Sequence, residues 1–82
     1  MSLVFLNFSE KEKGIFMSIG EKLKALRIKS NLTQEELGEK CDLTKGFISQ
    51  IERDLASPSI ATLNDILISL GTNLKEFFED WE

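Results

Sequence analysis

Residues 33–52 read TQEELGEKCDLTKGFISQIE, and the fold follows from how this stretch is punctuated. Thr33-x-x-Glu36 is a capping box: the threonine oxygen satisfies an orphan amide of the first turn, and the glutamate reaches back to the cap. Thr44 supplies a second helix start. Asp42-Leu43 stands between the two helices as a turn. Leu37, Cys41, Leu43, Ile48 and Ile51 are spaced to pack the pair at a steep angle. Lys45, Gly46, Ser49 and Gln50 are left on the face opposite Ile48 and Ile51, where a helix anchored by its apolar side can offer them to a major groove.

The same punctuation extends outward. Ser18-x-x-Glu21 and Asn73-x-x-Glu76 are further capping boxes, and Ser59 after Pro58 is a plain cap. Between the caps, apolar residues recur at helical spacing: Ile19, Leu23 and Leu26, then Ile60, Leu63, Ile66, Leu67 and Leu70, then Leu74, Phe77 and Phe78. Five helices are predicted, at 19–30, 34–41, 45–53, 60–70 and 74–80. Asn31, the 54–58 segment and Gly71 supply the stops. Short loops and a single small core make this an all-α protein, a compact five-helix bundle. Two segments are expected: a leader or arm over 1–17 and one domain over 18–82.

Composition narrows the chemistry. The chain has 82 residues, one cysteine and no histidine, so an intrachain disulfide and a conventional zinc site are both excluded. Cys41 reads as a small buried apolar residue, which suits reducing, cytoplasmic surroundings. The apolar run at 3–8 falls far short of the roughly 20 residues that span a bilayer, and no basic residue precedes it as in a secretory signal. Neither a membrane nor a cofactor is expected.

The formal net charge is -4, which by itself speaks against phosphate binding. Its distribution does not. Residues 18–53 hold seven bases against six acids, whereas residues 54–82 hold one base, Lys75, against six acids. An acidic C-terminal third should therefore face away from any nucleic acid. An enzyme is disfavoured for a different reason. Without histidine, and with carboxylates spread over helix starts and the tail, no convergent catalytic constellation can be read.

The segments IGEKLKALR, LTQEELGEK, FISQIER and SPSIATLNDILISLG, with a small residue at Gly38, resemble the Cro and phage-repressor type (Xre-like) helix-turn-helix family over 19–78. The resemblance implies a lambda-repressor-like DNA-binding domain with the helix-turn-helix at its second and third helices. It implies a bacterial transcription regulator, in all expectation a repressor, that binds double-stranded DNA as a homodimer at an inverted repeat.

By position, the family implies that Gln34 binds a phosphate and buttresses the recognition helix. Thr44, Lys45, Gly46, Phe47, Ser49, Gln50 and Arg53 would form the DNA-facing set, and Arg27 would pair with Glu52 to tie the first helix to the third. Plainer readings stand beside these. Gln34 could be a first-turn polar residue, Thr44 a cap before it is a phosphate donor, and Arg27 and Glu52 two unrelated charges. Phe47 either completes the core or touches a thymine methyl. A lysine at a helix start is disfavoured by the helix dipole, so Lys45 points to an external anion.

Two positions depart from the family. Asp42 stands where the turn often has glycine, and aspartate can occupy the left-handed region at modest cost. Asp54 replaces a frequent glycine after the third helix and there either weakens binding or sets the loop.

Residues 1–17 are either an extended arm that packs on a partner chain or a leader outside the fold. Phe77, Phe78 and Trp81 mark a candidate dimer surface, with closure of the monomer core as the competing role for Phe77. SPSIATLNDILISLGTNLKEFF is also similar to regulators that carry a C-terminal ligand-sensing cupin domain, so the chain is a stand-alone repressor or a fragment. The rival class is an antitoxin-like module that uses this fold to hold a partner protein, favoured by the acidic C-terminal third and the apolar leader.

Overall fold

The computed structural model describes residues 17–79. It contains α1 (Ile19–Lys29), α2 (Gln34–Cys41), α3 (Lys45–Glu52), α4 (Ile60–Ser69) and α5 (Leu74–Glu79). Among the described residues there is no strand, and no helix is long and apolar enough to cross a membrane. The expectations for residues 1–16, and for Trp81, lie outside the described residues.

Each predicted helix is present, and α1, α3 and α4 each stop one residue short of the predicted end because Ser30, Arg53 and Leu70 serve as C-caps. The helices end in the same way. Asn31, Asp54 and Gly71 follow those caps with φ of 60°, 60° and 82°. The next amide then turns back to the helix, Leu32 to Arg27 O at 3.1 Å, Leu55 to Gln50 O at 2.8 Å and Thr72 to Leu67 O at 2.9 Å. These left-handed closures satisfy carbonyls that would otherwise lack partners.

At the starts, Ser18 with Glu21 and Thr33 with Glu36 form complete capping boxes. The third box is only half made. Asn73 Oδ1 accepts from the Glu76 amide at 2.9 Å, but the Glu76 carboxylate takes the Thr72 hydroxyl instead of the cap amide.

Leu23, Leu37, Ile48, Ile51, Leu63, Ile66, Leu67 and Phe77 form one buried cluster contributed by all five helices. Removing each such side chain from water is worth about 1.5–3 kcal/mol. This cluster carries the stability of a domain too small to have much else. Three residues of the apolar periodicity do not join it: Ile19, Ile60 and Phe78 are exposed. Ile19 and Ile60 are the first residues of α1 and α4, Phe78 lies in the last turn of α5, and the three meet around one cleft on the outside of the core. Cys41 is half-buried, not fully buried, and its thiol donates to Ser69 Oγ at 3.3 Å.

Candidate nucleic-acid interface

The turn between α2 and α3 is built for close approach. Asp42 takes the left-handed conformation, φ 63° and ψ 37°, and its amide bonds back to Gly38 O. Leu43 N donates to the same carbonyl at 2.8 Å. A Cβ on Gly38 would stand 2.5 Å from Leu43 O, closer than any real contact. Only glycine lets the second helix fold back so tightly on the turn that follows it.

With Leu37, Ile48 and Ile51 buried, α3 turns its other side outward. Thr44, Lys45, Gly46, Gln50 and Arg53 are exposed, and Phe47 and Ser49 are half-buried. Thr44 caps the helix, its hydroxyl oxygen accepting from Phe47 N at 3.1 Å. Phe47 itself packs against the core cluster. Lys45 and Arg53 form no ion pair among the described residues. Two cations therefore stand at opposite ends of one exposed helical face, with the Ser49 hydroxyl and the Gln50 amide between them.

The support behind this face is a polar network under α3. Arg27 from α1 meets Glu52 in a two-pronged contact, Nε to Oε2 at 2.6 Å and Nη2 to Oε1 at 3.0 Å. The two side chains are only 10% and 3% exposed. A third nitrogen, Nη1, donates to Leu32 O at 2.8 Å and so fixes the α1–α2 loop. Gln34, the first residue of α2, donates from Nε2 to Glu52 Oε1 at 3.0 Å. Its amide is thereby oriented, with its oxygen taking no hydrogen bond among the described residues. Bidentate geometry and a full set of donors are what make a buried ion pair tolerable.

The far end of α3 is pinned by residues whose roles could not be read from the chain alone. Asp54 faces the N-terminus of α1, where its carboxylate accepts from Ser18 Oγ and, at 3.1 Å, from Gly20 N. Of the two possibilities weighed for this departure, the loop-setting one is realised. Gly20 is required by the same contact: a Cβ there would lie 2.3 Å from Ile51 O and 2.7 Å from Glu52 O. The one available signal was a glycine placed two residues into a capping box, where helix propensity gives it no reason to be.

Ile19, Ile51, Ala56, Pro58, Ile60 and Phe78 line a mainly apolar cleft of about 280 Å³, which Asp54 and Ser57 also border. Phe77 does not contribute to an outer surface. It is 2% exposed and meets Phe78 edge-on at 5.0 Å between ring centroids. No group of three or more histidine, cysteine or acidic side chains among the described residues is arranged to hold a metal.

Comparison with known proteins agrees with this architecture. The model of the family described as "Helix-turn-helix" matches residues 23–77. The immunity repressor protein of Bacillus phage phi105 is 40% identical over 55 residues, which cover 67% of this chain and 38% of the repressor. The control protein C.BamHI of Bacillus amyloliquefaciens is 35% identical over 66 residues, 79% of this chain and 82% of that protein. Among solved structures, the clp gene regulator ClgR from Corynebacterium glutamicum superposes with a TM-score of 0.70 at 25% identity, covering 73% of this chain and 64% of that one. The chain thus spans just over a third of the phage repressor's length and most of the control protein's. With more than half of its residues matched by the family model and the same helical architecture in a solved regulator, the chain belongs to the helix-turn-helix family, whose members are DNA-binding transcription regulators and not enzymes.

Proposed function

We propose that the protein is a transcription regulator, a repressor in its simplest form, that inserts α3 into the major groove of an inverted-repeat operator as a homodimer in the cytoplasm. The observation that carries this reading is the outward face of α3: exposed Lys45, Gly46, Gln50 and Arg53 on a helix whose inner side is held by the buried Arg27–Glu52 pair. Ser49 and Gln50 supply the donors and acceptors that base edges require. Gln34, held by Glu52, and Thr44 are assigned to flanking phosphates, and Arg53 to a phosphate at the end of the helix. Phe47 is assigned to the core, with its ring edge alone near the groove.

Two copies related by a two-fold axis would present their α3 helices about 34 Å apart, one turn of duplex. Phe78, Ile60 and Ile19 around the apolar cleft are the surface assigned to the second copy. The same cleft favours one alternative, a module that holds a different protein chain. Selection of bound duplexes from a random library, with wild type and a Lys45→Ala, Gln50→Ala double variant, separates the two. An inverted-repeat consensus that the double variant loses is the expected result. No enrichment at any salt concentration, together with co-purification of a second protein, would transfer the reading to the alternative.

A further inference from the structure

Four glycines lie among the described residues, and three are explained inside the protein. Gly20 and Gly38 sit where a Cβ would strike backbone oxygens, at 2.3 and 2.5 Å, and Gly71 has φ +82°. Gly46 has neither reason. Its backbone is not left-handed, and a Cβ built on it would meet nothing within 4 Å. Glycine is also the least favourable residue in a helix after proline, so α3 carries it at a cost to its own stability. It stands on the exposed side, one turn before Ser49 and Gln50.

We infer that Gly46 is a clearance position, where the backbone of α3 lies against the duplex more closely than a methyl group would permit. The inference rests on the DNA-binding reading above and adds to it a specificity determinant that acts by lacking a side chain. At most positions of a recognition helix a side chain reaches for a base edge. At Gly46 the helix contributes only its own Cα hydrogens and backbone, so the base pair beneath it is selected by its fit to that bare surface. The lysine before it and the serine and glutamine a turn later then reach deeper into the groove than they could from a helix held off by a Cβ.

The test compares wild type and Gly46→Ala by thermal unfolding and by titration of the selected duplex at several salt concentrations. Because the added methyl has open space, the variant should unfold at the same temperature as wild type or a higher one. Its affinity for the duplex should nonetheless fall at least tenfold, with the slope of log affinity against log salt unchanged, since no phosphate contact is removed. Equal or tighter binding by the variant would overturn the clearance role and leave the DNA-binding reading standing. A lower unfolding temperature would overturn it too, by showing that the methyl meets the protein itself. A folded wild type that binds no duplex would overturn both readings together.

Discussion

Glu52 is 5% exposed, and its charge is tolerated only because Arg27 and Gln34 supply three hydrogen bonds to it. Glu52→Ala leaves the Arg27 guanidinium buried without its counter-charge, which should cost about 3–5 kcal/mol and lower the urea midpoint with little change in the slope. Gly38→Ala drives a methyl into Leu43 O and should cost about 1–3 kcal/mol by overpacking, read in the same titration. Gln50→Ala and Arg53→Ala should leave stability within roughly 0.5 kcal/mol of wild type and act on DNA differently. The first relaxes preference at one base pair by about 1–3 kcal/mol, and the second weakens all sequences and reduces the salt slope by about 1. A Gln50→Ala variant with unaltered base preference would remove that residue from the reading set.

Legibility at this scale was uneven, for a physical reason. Residues that act on their sequence neighbours leave a local signature: the Thr33 and Ser18 boxes, the Thr44 cap and the turn at Asp42 could all be located from spacing alone. Residues that act across the fold do not. That Arg27 meets Glu52 was suggested only by resemblance, and Asp54 reaching the amide of Gly20 across 34 positions has no signature in either segment. Ile60 shows the opposite error. It keeps the helical period of α4 and is 67% exposed, because periodicity identifies a face and not where along its length the face is covered.

At the scale of elements, each helix is too short to persist alone, so its caps and its partners decide whether it forms. The two complete boxes open α1 and α2, and three left-handed closures end α1, α3 and α4. Thr33→Ala removes the acceptor for the Glu36 amide and should cost about 1 kcal/mol, measured as a lower thermal midpoint. Asn73→Ala should cost less than that, because the box it belongs to is only half made and α5 is held by Phe77 instead. A larger loss for Asn73→Ala than for Thr33→Ala would contradict this ordering. The loop after α3 is the element whose form was not anticipated. Its shape is set by the start of α1, a distant partner, through the Asp54 carboxylate.

For the whole molecule, the charge pattern and the helix arrangement agree. The seven bases of residues 18–53 outnumber the six acids there, whereas residues 54–82 set one base against six acids, so a negative chain can still offer one face to DNA. Such binding should be steep in salt, with log affinity falling linearly against log salt. Reversing the exposed Asp65→Lys on α4, outside the residues assigned to DNA, should change affinity far less than Lys45→Ala. The helical class, the five helices of the described residues and the place of the two-helix unit were all legible, because capping and periodicity are local codes. The assembly was not. Phe77, one candidate for a dimer surface, closes the monomer core, and the outward apolar residues belong to different helices that only the fold brings together.

The most direct measurement is amide chemical-shift mapping of the protein titrated with its selected duplex. The account predicts that the largest shifts fall at Gln34, from Thr44 to Gln50 and at Arg53, with Gly46 among the most affected and the exposed face of α4 unchanged. Shifts concentrated on α4 and α5, with α3 silent, would contradict it.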